Sequence, residues 1–326
     1  MFNYVHSQLQ KTFLKPDILE NPFGFVVIDK PAGITSHDCV SRLRKVYGIK
    51  KVGHGGTLDP RVTGVLPIAI GNATRLLPYL KTSKRYQGKI QFGQQSNTDD
   101  LDGEIISNQS WPQLSEQSIN CFLDNFRGDI KQSPPLFSSI HINGERAYKK
   151  ARRGEFFSIP KKDITIYELS LISWDQESGL LELNIHCSSG TYIRSLARDI
   201  GDLIGCGGLL AELRRIEALG FKESEAIALP SLEKHNVKKP ILINPSEPLD
   251  HLGSYHLTAE EELFWRTGRE IITSKNRLKT GNDINSTDKE FLNNHLLTID
   301  HSGKIAGIGI ITVDNIIRPK IVFNSY

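Results

Sequence analysis

The first regular pattern in the chain is a continuous apolar run, GFVVIDK (24 to 30), with the length and composition of a buried strand. In the following SHDCVSRLRKVYG, the apolar positions Cys39, Val40, Leu43, Val46 and Tyr47 recur every three or four residues, which predicts a helix. A strand over VLPIAIG, a short helix over ATRLLPYLKT and a strand over RYQGKIQFG come next, and then an acid-rich loop, SNTDDLDG. Strands are expected at PPLFSSIHING, DITIYELSLISWD and LLELNIHCSS, the last two joined by the turn signal QESG, so the sheet should be mixed or largely antiparallel. From Thr191, TYIRSLARDIGDLIG places Tyr192, Ile193, Leu196, Ala197, Ile200, Leu203 and Ile204 in one stripe and predicts a second long helix. The proline-bearing stretch ALPSLEKHNVKKPILINPSEPLDHLG (228 to 253) reads as a connector, and a strand-rich unit opening with a helix at TAEEELFWRTG follows it. The pattern therefore predicts an α+β protein with a large domain over residues 1–250 and a small β-rich one over 251–326. The first two dozen residues read as a frayed leader without the apolar core of a secretory signal.

Composition sharpens this picture mainly by exclusion. With 38% hydrophobic and 24% charged residues the chain matches neither a disordered segment nor a disulfide scaffold. Its longest apolar stretches, such as IAGIGIITV, fall short of the roughly 20 residues that span a bilayer, so no membrane contact and a cytoplasmic location are expected. Cys39, Cys121, Cys187 and Cys206 are widely separated, and no metal site is expected from them. The net charge of +3 says little, but SRLRKVYGIKK, KTSKRYQGK and RAYKKARRG carry no acidic residue and could together face phosphates.

Phosphate-loop, zinc-protease and serine-hydrolase signatures are absent, which sets aside nucleotide cofactors and those hydrolytic classes. What remains is GHGGTLDPRVTGVLPIAIG (53 to 71), with a lone histidine, His54, and a lone aspartate, Asp59, among glycines. Taken alone, an aspartate before a proline is most often a turn former. Several separated blocks change that weighting: DKPAGITS, GHGGTLDP with TGVLPIAIGNATR, KRY, PPLFSSIHINGERAY, and CSSGTYIRSLARDIG with LRRI. In order and approximate spacing they resemble the TruB-type tRNA pseudouridine-55 synthases, over residues 24 to about 220 and, less closely, into a C-terminal segment similar to that family's PUA-like RNA-binding domain. Three positions depart from the family pattern: Ser96-Asn97 before the acidic loop, His141 in the Pro-Pro block, and Val62.

The resemblance implies a pseudouridine-synthase fold, no cofactor, and a tRNA T-arm stem-loop as partner of a monomeric enzyme. It identifies Asp59 as the catalytic aspartate, Arg194 as its ion-pair partner, and Tyr86 as the ring against the target base. Tyr86 is also weighed as a base that removes the C5 proton. His54, Tyr192, Leu213, Lys30 and Arg146 are expected to contact substrate or RNA. The chemistry suits a single carboxylate: isomerising uridine breaks the C1′–N1 bond, turns the uracil and bonds its C5 to C1′, with no redox or energy input. A carboxylate in a water-poor pocket needs a cation to keep it charged, and a guanidinium also fixes its orientation. Other readings are a guide-RNA-dependent pseudouridine synthase, an RNA-folding factor that binds and releases tRNA, and a glycoside hydrolase drawing its second carboxylate from the DDLD loop.

Overall fold

The computed structural model describes residues 22–232, 238–281 and 294–324. The leader expected at the N-terminus, up to residue 21, and the middle of the 228–253 connector lie outside them.

Helix α1, Ser36–Tyr47, forms where the apolar spacing predicted it. Thr35 and Asp38 close a reciprocal capping box at its start, and Gly48 ends it in the left-handed region at φ 71°. The strand Gly24–Lys30 runs antiparallel to Thr63–Ile70, so the two ends of the loop between them come back beside each other. The main sheet has ten strands, and eight lie in the order Ile227–Ala228, Gly24–Lys30, Thr63–Ile70, Gly208–Ala218, Lys84–Phe92, Leu180–Cys187, Lys162–Asp175 and Gly128–Gln132. Only the contacts of Gly24–Lys30 with Ile227–Ala228 and of Gly208–Ala218 with Thr63–Ile70 are parallel, so the sheet is mixed and largely antiparallel as expected. At the second of these contacts a β-carbon on Gly64 (φ 101°) would stand 2.2 Å from the Arg215 carbonyl oxygen. Only glycine lets the two strands meet there.

The longer helices pack on this sheet: α2, Glu116–Leu123, through Ile119 and Leu123, and α4, Ile193–Ile204, through Ile193, Leu196, Ala197 and Ile200. Between them lies the short α3, Ala147–Arg152. A second sheet of six strands follows residue 250, with α5, Ala259–Arg266, beside it. It buries its own small cluster around Tyr255, Trp265 and Ile317. Its other apolar residues, Leu297, Ile299, Ile305, Ile308, Ile321 and Phe323, share one continuous cluster with Phe25, Leu76, Tyr79 and Phe221 of the main sheet.

Two expected elements take other forms. The helix over ATRLLPYLKT is a pair of 3-10 turns, Gly71–Arg75 and Leu77–Tyr79, because Pro78 cannot continue a helical ladder. The strand over PPLFSSIHING shrinks to His141–Ile142, paired with Glu145–Arg146 across an Asn143-Gly144 turn whose two residues both have positive φ. Gly208–Ala218, α2 and α3 were not anticipated.

Candidate active site

Asp59 sits in the loop between the short strand Val52–His54 and Thr63–Ile70, and neighbouring side chains hold that loop from both sides. Ser36 Oγ accepts from the Leu58 amide at 2.8 Å and donates to the Leu58 carbonyl at 3.2 Å. The Lys30 ammonium donates to the carbonyls of Pro31, Ile34 and Pro60 at 2.9, 2.7 and 3.0 Å. On the upstream side Arg215 donates to the carbonyls of Gly56 at 3.1 Å and Thr57 at 3.5 Å, and its Nε reaches the Val65 carbonyl at 2.8 Å. Asp59 is thus flanked by anchored residues while its own side chain remains 44% exposed.

The cation beside it is Arg194, in the first turn of α4. Its Nε lies 3.1 Å from Asp59 Oδ2 and 3.6 Å from Asp100 Oδ2, while Nη1 and Nη2 donate to the carbonyls of Thr98 and Phe137, each at 3.1 Å. The helix start that presents Arg194 is fixed by the buried Gln132, which accepts from the Tyr192 amide and donates to the Tyr192 carbonyl. One buried guanidinium therefore ties α4 to three separate loops, and both faces of its fork are used.

Asp59 and Arg194 line a pocket of about 260 Å³ together with Tyr86, Tyr192, Leu213 and Lys84. A second hollow of about 450 Å³ shares Asp59, Arg194 and Leu213 and continues past Asp100. Five of the residues expected from the sequence thus converge: Asp59, Tyr86, Arg194, Tyr192 and Leu213. Tyr86 is 6% exposed, and burial pushes its phenol up to about 12, with Arg215 opposing. A hydroxyl that holds its proton so firmly suits packing and hydrogen-bond donation rather than removal of a C5 proton at neutral pH.

The other three stand elsewhere. Lys30, expected among the RNA contacts, is fully buried and acts as a loop anchor; burial lowers its pKa, and no part of it reaches a surface that RNA could touch. His54 ends the strand Val52–His54, half-buried, where its Nδ1 accepts from the Gly56 amide at 3.3 Å. Burial and the Arg215 charge lower its pKa and favour the neutral ring. Arg146 is exposed on the His141–Arg146 hairpin and donates to the Ser139 carbonyl.

Two participants were not anticipated. Asp100 belongs to the acidic segment read as an exposed loop, yet it is largely buried against Arg194. Its neighbour Asp99, held at φ 61°, pairs with Arg198 at 2.8 Å. The Ser96 departure fits here, because its hydroxyl accepts from the Asp100 amide at 3.1 Å and donates to the Asp100 carbonyl. Among the described residues no group of three or more His, Cys, Asp or Glu side chains is placed to hold a metal. Arg215, fully buried, is the second, and the LRRI block was its only visible signal. The basic segments are partly neutralised: Arg85 by Glu168 and Lys89 by Glu212, both far away in the sequence, and Arg153 by Glu145 and Glu155, which flank its own segment.

This fold recurs in solved structures. A chain in a structure of an H/ACA RNP bound to a substrate RNA containing 2'-deoxyuridine superposes with a TM-score of 0.67 at 21% identity, covering 93% of this chain and 86% of that one. Closer kinship comes from sequence. The model of the TruB family pseudouridylate synthase N-terminal domain matches residues 44–193, and that of the tRNA pseudouridylate synthase B C-terminal domain matches 194–251, so the two meet inside α4. The tRNA pseudouridine synthase B of Prochlorococcus marinus strain NATL2A is 54% identical over 94% of this chain and 99% of its own length. Its counterpart from Prochlorococcus marinus strain MIT 9313 is 50% identical over 93% of this chain and 98% of its own length. The chain belongs to the TruB family of pseudouridylate synthases.

Proposed function

We propose that this protein isomerises uridine to pseudouridine in tRNA, at position 55 of the T-loop, with Asp59 as the nucleophile. The observation that carries the reading is the Asp59–Arg194 pair, 3.1 Å apart at the edge of a pocket walled by Tyr86, Tyr192 and Leu213, in a chain so similar to enzymes named for this activity.

The pocket suits one flipped-out nucleotide. The base has the Tyr86 ring and Leu213 to pack against, at an unstacking cost of a few kcal/mol met by the new contacts. Arg194 holds Asp59 through Oδ2 and fixes its orientation, so the other carboxylate oxygen is free for the ribose. When C1′–N1 breaks, the electron pair stays with uracil and Asp59 satisfies the electron-deficient sugar. The base turns, C5 bonds to C1′ and displaces the Asp59 carboxylate, the C5 proton leaves and N1 gains one. Nothing is added or lost overall, which fits a site built from anchored side chains and needing no cofactor.

His54, beside the glycine-rich loop, is assigned to the space next to the flipped base, and Arg146 to the RNA backbone. The sheet after residue 250 is taken as an RNA-binding unit that shares part of its core with the main sheet, and the enzyme as a cytoplasmic monomer. Among the described residues no helix is long and apolar enough to cross a membrane. Incubation with unmodified tRNA transcript and mapping of pseudouridine tests the reading: product at position 55 alone is expected. Modification elsewhere would refute the site assignment, and a requirement for an added guide RNA would favour the guide-dependent class.

A further inference from the structure

Lys84 is the one cation of the 260 Å³ pocket to which no role has been given. It opens the strand Lys84–Phe92 two residues before Tyr86, so both side chains leave the same face of the sheet, and both line the pocket with Asp59. Its ammonium packs against the glycine loop, 3.6 Å from where a β-carbon on Gly56 would stand. Arg215 and Cys187 face it from the two adjoining strands and Tyr86 from its own; Asp59, Tyr192 and Arg194 stand across the pocket. Among the described residues the Lys84 ammonium has no hydrogen-bond or ion-pair partner. Lys30 shows how this protein treats a structural buried lysine: it is given three carbonyl oxygens. Lys84 keeps three donors on the wall of a cavity, where burial and the Arg215 charge press its pKa down to about 8. Leaving an ammonium unpaired there is costly unless a ligand supplies the acceptors.

We propose that Lys84 is a catalytic residue that binds a carbonyl oxygen of the target uracil and stabilises the negative charge this ring acquires on leaving the ribose. The inference rests on the isomerase reading above. Heterolysis of C1′–N1 leaves its electron pair on uracil, spread over N1 and the two carbonyl oxygens, while Asp59 answers the deficiency at C1′. Attack of C5 on C1′ then returns the electrons and releases the Asp59 carboxylate, and the proton lost from C5 is balanced by one gained at N1. A fixed ammonium beside the Tyr86 ring opposes the charge at the stage where it is greatest and costs no reorganisation. A backbone phosphate is the weaker assignment, because phosphates stay outside a pocket that admits one base, and the cations suited to them, such as Arg146 and Lys149, are exposed.

The test compares wild type, Lys84→Met and Lys84→Arg on unmodified tRNA transcript, reading RNA affinity, single-turnover pseudouridine formation at saturating enzyme from neutral to alkaline pH, and thermal unfolding. The methionine variant should bind RNA within about threefold of wild type yet turn over about 10²–10³-fold more slowly, the usual loss when one charge-stabilising donor is removed. The wild-type rate should fall at alkaline pH as the ammonium loses its proton. That fall should be missing in the methionine variant and displaced upward in the arginine variant, which recovers part of the rate. Weakened affinity with an unchanged saturated rate would place Lys84 on a phosphate and overturn the proposal. So would an equal loss of rate and thermal stability in both variants, which marks a structural lysine. Inactivity of the wild type, by contrast, refutes the isomerase reading itself.

Discussion

Replacing Arg194 with lysine separates charge from geometry at the centre of the site. The guanidinium spends Nε on Asp59 and Asp100, and its two outer nitrogens on the carbonyls of Thr98 and Phe137, each at 3.1 Å. An ammonium on a flexible stem retains one or two of these contacts and cannot serve loops on opposite sides. A hydrogen bond from a charged donor contributes about 1.5–3 kcal/mol when buried, so losing two and regaining one costs that same amount of stability. The contact with Asp59 adds less to that figure, because the carboxylate is 44% exposed and solvent screens it. Its weight lies in orientation: a carboxylate free to rotate away from the sugar should lower the single-turnover rate by about 10²–10³, or roughly 3–4 kcal/mol of barrier. The assay is pseudouridine formation at saturating enzyme, with RNA affinity and thermal unfolding measured on the same preparation. A rate within threefold of wild type alongside a lowered midpoint would refute the argument: Arg194 would then be a strut between loops with no hold on the reacting carboxylate.

Asp59→Asn should abolish turnover while tRNA affinity stays within about tenfold, since tenfold is only about 1.4 kcal/mol and phosphate contacts dominate binding; measurable single-turnover product would remove Asp59 from the nucleophile's role. Asp99 supplies a signed pH dependence: burial raises its carboxyl from 3.8 to about 6 against the pull of Arg198, so the folded state holds a proton there that the unfolded chain has already lost. That contribution is fully present below pH 3.8 and is lost as pH rises through about 6, so the stability of wild type relative to Asp99→Asn should fall across this window by at most about 3 kcal/mol, as read by denaturant unfolding; a flat difference would show that Asp99 stays ionised throughout. Truncation after residue 250 should expose Phe25, Leu76, Tyr79 and Phe221, which now share a cluster with Leu297, Ile308 and Phe323. The shortened protein is therefore expected to unfold at a markedly lower temperature, and an unchanged midpoint would show that the C-terminal sheet adds nothing to the main core.

What the sequence allowed and what it hid divide along one physical line. α1 and α4 were readable because their apolar residues recur at helical spacing, and the strands Lys162–Asp175 and Leu180–Cys187 because runs with alternating apolar residues flank a turn. The strand Gly208–Ala218, at the middle of the main sheet, was not, because Glu212, Arg214, Arg215 and Glu217 interrupt its apolar run. Binary patterning assigns such residues to solvent, yet Arg215 points inward and is fully buried on the carbonyls of the Asp59 loop. The same inversion hid Asp99 and Asp100 in a segment that reads as an exposed acidic loop, and Lys30 in a strand where it reads as a surface cation. Asp59, Arg194 and Tyr86 escaped this blindness only through the family blocks, since no periodicity distinguishes them from surface residues. Each misplaced charge bonds to the backbone or a partner within reach of the cleft, and none contributes to the apolar clusters that hold the sheets together. Charges buried against the pattern are thus themselves a map of the site, and Lys84, which stands beside them half-buried and, among the described residues, without a partner, is where that map points to substrate.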